Sequence, residues 1–337
     1  MKNLLYIGNN LKTPKSNLST IQVLGKRLEQ EGHSFRYASS YRNTGLRLVS
    51  MLWNCLRYSR WADAVLIDTY STRNFYYALL CSQLCRLLGV PYLPILHGGN
   101  LPKRLKDYPK LSQLIFKYSY KNISPSLYMK DQFKDFGFDS DYIPNAIQLK
   151  NYEVVPKSLD SIRLLWVRSF SKIYNPEMAI HVLKALQDKG YPAELCMVGP
   201  DVDGSLKTVK TMAKEIGVFP TFTGKLSKAQ WITLSKGYTI FINTANFDNM
   251  PVSVIEAMAL GFPIVSTNVG GMPNLIEDGR YGFLVDKGDV NAMTNAILRI
   301  FEDNQLQQDF SAEARLKAES LDWNTIKLKW YQILKSV

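Results

Sequence analysis

The chain is poor in the residues that build metal and disulfide sites. Its 337 residues include only four cysteines and three histidines. The cysteines form no Cys-x-x-Cys or Cys/His spacing, which excludes a zinc-finger-type site and gives no sign of a disulfide framework. We therefore expect Cys81 and Cys85, which lie one helical turn apart, to be buried thiols, and we expect a cytosolic protein. The four cysteines are Cys55, Cys81, Cys85 and Cys196.

The chain also lacks long hydrophobic runs. No apolar run approaches the roughly 18 residues that a membrane-spanning helix needs, and the apolar stretch in the opening residues MKNLLYIG is too short for a signal peptide. Hydrophobic residues nevertheless make up 46% of the chain. This fraction excludes disorder, and with this length it predicts two domains with cores of their own.

Acidic residues are scarce in the first half of the chain. Residues 1–150 contain 21 Lys and Arg against 9 Asp and Glu, and the remainder has 20 of each, so the whole net charge of +12 lies in the first half. A one-sided basic field favours an anionic partner, such as a membrane surface, a lipid-linked phosphate or nucleic acid.

Two basic and aromatic segments carry much of this charge. Residues 42–61 predict a helix, over 45–61, that mixes arginines with Trp53 and aliphatic side chains, and in residues 103–134 lysines alternate with tyrosines and phenylalanines. We predict that both segments meet an anionic membrane surface. For the first segment the alternative is a core helix with a solvated edge. For residues 103–134 the alternatives are ordinary solvated helix faces and base stacking by a nucleic-acid-binding protein.

One strand–helix–strand unit organises the second half of the chain. An apolar run at residues 238–243 leads through a polar corner to Pro251, which suits the first turn of a helix, and Gly261 suits its end. A second buried strand is predicted at residues 262–267. Polar side chains gather at the carboxyl ends of these strands, where open α/β sheets bind ligands, and the helix N-terminus suits a phosphate.

The sequence of this unit resembles the retaining family 4 glycosyltransferases. Residues 248–271 read DNMPVSVIEAMALGFPIVSTNVGG, similar to the family's acid, seven residues, Glu-Ala and Gly-Gly loop. Asp248 stands where the family usually has Glu, which withdraws the carboxylate by about one methylene. Residues 142–147 resemble the family's Pro-Asn-Gly element with Ala146 in place of Gly. Residues 168–176 resemble its diphosphate-binding loop, with Lys172 one position early.

The resemblance implies an α/β protein with the GT-B architecture, in which two Rossmann-like domains face each other across a cleft. Residues 1–155 would form the acceptor-side domain, joined by a final helix at about 323–337 that crosses back. Residues 156–322 would form the domain that holds the nucleotide-sugar donor.

The resemblance also implies the chemistry. A sugar would pass, with retention, from a UDP- or GDP-linked donor to an acceptor, which we expect to be a lipid-linked or cell-surface polysaccharide precursor in bacteria. Glu256 would bind the ribose, Asp248 the sugar hydroxyls, and Arg168 and Lys172 the diphosphate. The pocket would be lined by the backbone of Asn249, Met250, Pro251, Val252, Gly270 and Gly271.

His97 is the remaining candidate catalytic residue. It follows a predicted buried strand and precedes two glycines that permit close approach of a ligand, and the family places a residue near this point against the reacting centre. A structural histidine is the alternative. Because protein cations are expected at the phosphates, we predict no metal ion and no cofactor.

These expectations describe a cytoplasmic enzyme that is peripheral at the inner face of the cytoplasmic membrane. Two other functions stay open. A nucleotide-sugar epimerase of the same fold would need no glycan or lipid acceptor. A basic nucleic-acid-binding protein would explain the charge, but nothing in that function needs the corner formed by Asp248 and Glu256, so we expect no nucleic-acid partner.

Overall fold

A computed structural model describes residues 1–11, 19–157 and 160–337. The chain divides into two compact units, one made of Met1–Pro144 with Ile326–Val337 and the other of Asn145–Thr325. Each unit contains one six-stranded sheet with helices packed on it. The predicted α/β fold with two Rossmann-like sheets is confirmed.

The first unit has the strand order β2-β1-β3-β4-β5-β6, and all of its strand pairs are parallel. Its strands are β1 (Asn3–Ile7), β2 (Ser34–Ala38), β3 (Ala64–Thr69), β4 (Tyr92–Leu96), β5 (Ile123–Ser124) and β6 (Asp141–Tyr142). Its helices are α1 (Thr20–Gln30), α2 (Thr44–Arg57), α3 (Asn74–Leu87), α4 (Leu101–Asp107), α5 (Pro109–Phe116) and α6 (Leu127–Asp135).

The connections of this sheet decide which helices share a face. The chain moves from β1 to β2 in one direction and from β2 through to β6 in the other. Because crossovers between parallel strands are right-handed, α2 to α6 lie on one face of the sheet and α1 lies on the opposite face. One apolar core joins α2, α3, α5 and α6 through buried side chains that include Met51, Cys81, Phe116 and Phe133.

The second unit has the strand order β12-β11-β10-β7-β8-β9, also parallel throughout. Its strands are β7 (Ile162–Val167), β8 (Ala193–Val198), β9 (Thr221–Gly224), β10 (Ile240–Asn243), β11 (Ile264–Thr267) and β12 (Gly282–Val285). Its helices are α7 (Pro176–Asp188), α8 (Ser205–Glu215), α9 (Lys228–Ser235), α10 (Val252–Ala259), α11 (Met272–Leu275), α12 (Val290–Glu302) and α13 (Asn304–Glu319).

The final helix, α14 (Trp323–Ser336), joins the first unit from Ile326 onward. The carboxylate of Glu31, just after α1, accepts hydrogen bonds from Lys327 and Tyr331, and Lys329 donates to the carbonyl of Tyr142. These contacts attach the last turns of the chain to the first sheet's unit.

Most local predictions agree with the structure, and one does not. The strand predicted at residues 238–243 is β10 (Ile240–Asn243), and the strand predicted at residues 262–267 is β11 (Ile264–Thr267). All four cysteines are free and buried. The helix predicted over 45–61 ends at Arg57, because residues 58–61 form a turn. Within the described residues, no helix is both long and apolar enough to cross a membrane.

Candidate active site

The site in the second unit is built where the strand order reverses. After β9 the chain returns to form β10, which pairs with β7 through Leu164 with Ile240 and Leu165 with Phe241. The loops that follow β7 and β10 therefore start side by side at the carboxyl edge of the sheet. This is the switch point at which open α/β sheets bind ligands.

The first residue after β7, Arg168, forms an ion pair with Asp248 from the loop after β10, through Nη2 and Oδ2. The two side chains are only 15% and 10% exposed. Burial lowers the pKa of Arg168, and the Arg168 guanidinium lies 4.5 Å from the centre of the Tyr174 ring. Its Nε is buried without a hydrogen-bond partner among the described residues. An enclosed guanidinium with an unused N–H is suited to binding an anion.

Hydrogen bonds connect these two loops. The indole of Trp166 donates to the hydroxyl of Thr244 (3.0 Å), and that hydroxyl donates to the carbonyl of Tyr174 (3.0 Å). The amide of Asn246 donates to the carbonyl of Lys172 (2.9 Å). Since Trp166 is fully buried in the core, the loop that carries Arg168 is fixed to the interior of the unit.

Lys172 lies on the same loop, in a short 3-10 turn, with its side chain exposed. The turn is held by Asp203, whose carboxylate accepts the Lys172 N–H (3.0 Å) and the Ser171 hydroxyl (2.9 Å). Hydrogen bonds, foremost one from the Ser205 hydroxyl, hold the pKa of Asp203 well below its usual range. The backbone of Lys172 is therefore fixed while its ammonium group reaches solvent.

Gly270 and Gly271 allow the loop after β11 to touch the loop after β10. A Cβ on Gly270 would lie 2.1 Å from the carbonyl oxygen of Asp248, and one on Gly271 would lie 2.0 Å from that of Asn249. The Gly271 N–H donates to the Asp248 carbonyl (3.0 Å). Their immediate role is thus close backbone approach, which fixes the position of Asp248.

The start of α10 supplies N–H groups at the same corner. The Pro251 carbonyl accepts hydrogen bonds from the N–H groups of Val254 and Ile255 (3.2 Å each), so those of Val252 and Ser253 have no intrahelical acceptor. The residue before the cap, Met250, is buried, and its carbonyl accepts a hydrogen bond from Asn145 (2.8 Å).

Glu256 lies in the interior of α10 with a side chain only 5% exposed. Its Oε1 accepts a hydrogen bond from the Tyr152 hydroxyl (2.8 Å) and forms an ion pair with Lys228. The Lys228 side chain is half exposed. The negative charge of the nearly buried Glu256 is therefore balanced by Lys228, whose side chain extends to solvent.

The sequence interpretation missed Lys228 and Tyr152. Lys228 begins α9, directly after a capping box made by Ser227 and Gln230. A cation in the first turn of a helix opposes the helix dipole, so its presence there was a signal that the side chain pairs with an acid elsewhere. Tyr152 carried no comparable signal, because its contact with Glu256 spans 104 positions of the chain.

His97 belongs to the first unit, where it follows β4 and contacts Asp68 at the end of β3. Its Nε2 lies 2.8 Å from Asp68 Oδ1, and the Tyr6 hydroxyl donates to the same oxygen at 2.9 Å. Burial, followed by the charge of Asp68, raises the pKa of Tyr6 well above its usual value. Because a carboxylate only accepts, the hydrogen bond places a proton on His97 Nε2 and leaves Nδ1 for another partner.

The described residues contain no group of three or more His, Cys, Asp and Glu side chains arranged to hold a metal ion. The second unit contains an Asp-x-Asp pair at residues 201–203, a pattern that can bind a metal ion. Asp203 supports the Lys172 turn, and Asp201 accepts the N–H of Gly204 (2.9 Å). Catalysis without a metal stays a prediction.

Comparison with known proteins assigns the family. The sequence model of the family described as "Glycosyl transferases group 1" matches residues 149–317, half of the chain. The matched region contains Arg168, Asp248, Glu256 and the Gly270-Gly271 loop. The chain belongs to the group 1 glycosyltransferases.

Curated relatives extend this similarity at low identity. The sulfoquinovosyl transferase SQD2 of Arabidopsis thaliana is 29% identical over 160 residues, which cover 45% of this chain and 30% of that protein. The amylovoran biosynthesis glycosyltransferase AmsK of Erwinia amylovora is 25% identical over 278 residues, 75% of this chain and 66% of that protein. The chain spans less than two thirds of either relative.

Solved structures show the same fold along the whole chain. Sucrose-phosphate synthase from Thermosynechococcus elongatus superposes with a TM-score of 0.83 at 16% identity, covering 100% of this chain and 99% of that one. Anabaena HepE, in complex with UDP-glucose, superposes with a TM-score of 0.81 at 16% identity, covering 100% of both chains. The fold is that of the GT-B glycosyltransferases.

Proposed function

We propose that this protein is a retaining, metal-independent glycosyltransferase that uses a nucleotide-sugar donor. The observation that carries the proposal is the enclosed Arg168–Asp248 pair at the switch point of the second sheet. Beside it are the free N–H groups at the start of α10, and Glu256 lies eight residues beyond Asp248. The diphosphate of a nucleotide sugar is bound by cations and N–H donors, and the hydroxyls of its sugar and ribose are bound by carboxylates.

The binding roles follow from charge. Departure of a nucleoside diphosphate builds negative charge on phosphate, and Arg168, Lys172 and the Val252 N–H supply donors for it. Binding would exchange the Arg168–Asp248 contact for ligand contacts: the guanidinium would move to phosphate, and Asp248 would accept sugar hydroxyls. Glu256, held by Tyr152, would accept the ribose hydroxyls.

The donor nucleotide is proposed to be UDP or GDP. Support for UDP comes from the HepE structure, which holds UDP-glucose in the same fold. No cofactor beyond the donor substrate is proposed, because Arg168 and the helix N–H groups occupy the role that a divalent ion would have at the diphosphate.

His97 is proposed to contact the reacting sugar or its acceptor. Asp68 holds Nε2 of its ring, which leaves Nδ1 for a substrate hydroxyl. The hydrogen bonds from Tyr6 and His97 to Asp68 support this role, because they hold the His97 ring in place. The second oxygen of Asp68, Oδ2, is buried without a partner among the described residues.

The acceptor is proposed to be a lipid-linked or cell-surface polysaccharide precursor at the inner face of the cytoplasmic membrane. The name of AmsK, an amylovoran biosynthesis enzyme, supports a polysaccharide product. The net charge of +12 on residues 1–150 supports an anionic surface near the acceptor.

A transfer assay tests this proposal. The protein is incubated with labelled UDP- and GDP-sugars and a bacterial lipid extract, and the product linkage is determined by NMR. Transfer with the anomeric configuration of the donor is expected. Inverted product contradicts the retaining mechanism, and an epimerised nucleotide sugar formed without any acceptor identifies the enzyme as an epimerase instead.

A further inference from the structure

Helix α2 exposes an apolar stripe that no other part of the described structure covers. Leu46, Val49, Trp53 and Leu56 recur every three or four residues and are 49–63% exposed, so they lie along one side of the helix. The other side carries Met51 and Cys55 into the core. When a helix is apolar on both sides and only one side packs in the core, the exposed apolar side indicates an interaction surface.

The neighbouring helices extend this stripe. On α3, Tyr76, Leu80 and Leu87 are exposed, and on α5 Leu114 is exposed. The side chain of Gln83 on α3 donates to the carbonyl of Leu114 (2.9 Å), which joins the two helices at this surface. Since α2, α3 and α5 share one face of the first sheet, their outward side chains form one surface. We name the exposed apolar residues of α2, α3 and α5 the three-helix face.

The charge of the three-helix face has one sign. The ranges Thr44–Arg57, Asn74–Leu87 and Pro109–Phe116 contain no aspartate or glutamate. The apolar residues are accompanied by arginines and lysines, among them Arg57, Arg86 and Lys110, and Arg60 lies in the turn after α2. Apolar side chains with cations and no carboxylates match a lipid headgroup layer that carries negative charge.

We propose that the three-helix face docks on an anionic lipid leaflet, with Trp53 and its aliphatic neighbours inserted at the headgroup level. A second copy of the chain fits this surface less well, because a symmetric contact would bring the same cations together without a carboxylate to pair them. Tryptophan favours the membrane interface, where its ring meets both apolar and polar surroundings.

This docking surface leaves out Lys103 and Arg104, although it includes Lys110 from the basic segment at residues 103–134. The Arg104 guanidinium donates to the carbonyl of Ser71 (2.7 Å) and lies 4.8 Å from the centre of the Tyr108 ring, and Lys103 pairs with Asp107. These two cations are engaged within the protein. The apolar residues of α2 and α3 therefore provide the insertion, and the cations of α2 and of the residues after it provide the attraction.

Sedimentation with lipid vesicles tests the proposal on the full chain. The wild-type protein should bind vesicles that contain phosphatidylglycerol and should not bind pure phosphatidylcholine. Trp53→Ser with Leu56→Ser should weaken vesicle binding at least tenfold. Val202→Ser with Phe219→Ser is the matched control, because it removes two exposed apolar side chains from the second unit and should leave binding unchanged.

Tryptophan fluorescence gives a second, local readout. Trp53 is exposed, whereas Trp166, Trp231, Trp323 and Trp330 are buried. Vesicles with brominated acyl chains should quench part of the emission, and Trp53→Phe should remove most of that quenching. Arg57→Gln with Arg60→Gln should reduce binding and its dependence on salt.

Three results would overturn the docking surface. They are no binding to anionic vesicles, equal binding by the Trp53/Leu56 variant and the wild type, and a dimer that this variant dissociates in the absence of any vesicle binding. The docking surface rests on the proposed function only in that the proposed acceptor lies at the membrane. The assay needs no nucleotide sugar, so a protein that binds donor but not vesicles loses only the docking surface.

Discussion

At the scale of single residues, Arg168 carries the largest expected effect. It is the enclosed cation of the site, and removal of one preorganised charge-stabilising donor costs about 10²–10³ in kcat. We expect Arg168→Ala to lose activity in that range. Lys214→Ala, which removes an exposed cation from the same unit, is the control and should retain full activity. A kcat within threefold of wild type for Arg168→Ala would remove this residue from the site.

The pairing of Arg168 with Asp248 also predicts a stability pattern. Truncating one partner leaves the other charge enclosed without compensation, which is more costly than removing both. We expect Arg168→Met to lower the urea midpoint, and the double variant with Asp248→Asn to recover part of that loss. Additive losses in the double variant would show that the two side chains do not interact.

Lys228 gives a separate prediction, because it contacts Glu256 rather than the corner that is proposed to bind phosphate. Lys228→Ala leaves a nearly buried carboxylate with Tyr152 as its remaining partner. We expect the donor KM to rise several-fold while kcat changes little, with Lys228→Arg restoring the KM. Lys207→Ala, an exposed cation on α8, is the control. A fall in kcat with unchanged KM would assign Lys228 to the chemical step instead.

The residues of the site were predictable from sequence to different degrees. Asp248 and Glu256 lie in one local strand–helix unit, so their spacing already placed them at one corner. The Lys228–Glu256 and Asp68–His97 contacts were not predictable, since each depends on which strands become neighbours in the sheet. The sequence pattern contains the strands but not their order.

At the scale of elements, two glycines of the second unit, one after β11 and one after β12, separate two physical effects. Gly271 has φ of −87° and no room for a Cβ, whereas Gly288 has φ of +80° and open space around it. Gly271→Ala thus tests close approach alone, and Gly288→Ala tests backbone strain alone.

We expect Gly271→Ala to destabilise the protein by about 1–3 kcal/mol, the range for overpacking, and to weaken donor binding because the Asp248 loop must move. Gly288→Ala should cost about 1–2 kcal/mol and leave donor binding intact. Chemical denaturation and donor titration on both variants measure these effects. Unchanged donor binding in Gly271→Ala would show that the loop contact does not position Asp248.

Element boundaries followed local signals where these existed. Pro251 and Gly261 bracket α10 as predicted, since Pro251 is its N-cap and Gly261 has φ of +72°. The helix predicted to Trp61 ends four residues earlier, and neither glycine nor proline marks that end in the sequence. The exposed side of α2 was not predictable either, because apolar residues occur on both of its sides.

At the scale of the whole molecule, the charge distribution separates the chain into a basic first half and a neutral second half. The first half is proposed to face an anionic surface, and Arg168 and Lys172 in the second half are proposed to act at the diphosphate. Because these two cations would take the place of a divalent ion, the enzyme should not need one. We expect glycosyl transfer to continue in excess EDTA, with no gain from added magnesium or manganese. Loss of activity in EDTA that either ion restores would contradict the metal-independent mechanism.

The central claim is that the second unit binds a nucleotide sugar through Arg168, Asp248 and Glu256. Calorimetric titration of UDP, GDP and their sugar conjugates into the wild-type protein tests it most directly. The account predicts saturable binding of at least one nucleotide sugar. Arg168→Ala and Glu256→Ala should each weaken it at least tenfold, and Lys214→Ala should leave it unchanged. Equal affinity in wild type, Arg168→Ala and Glu256→Ala, with all three folded, would contradict the account.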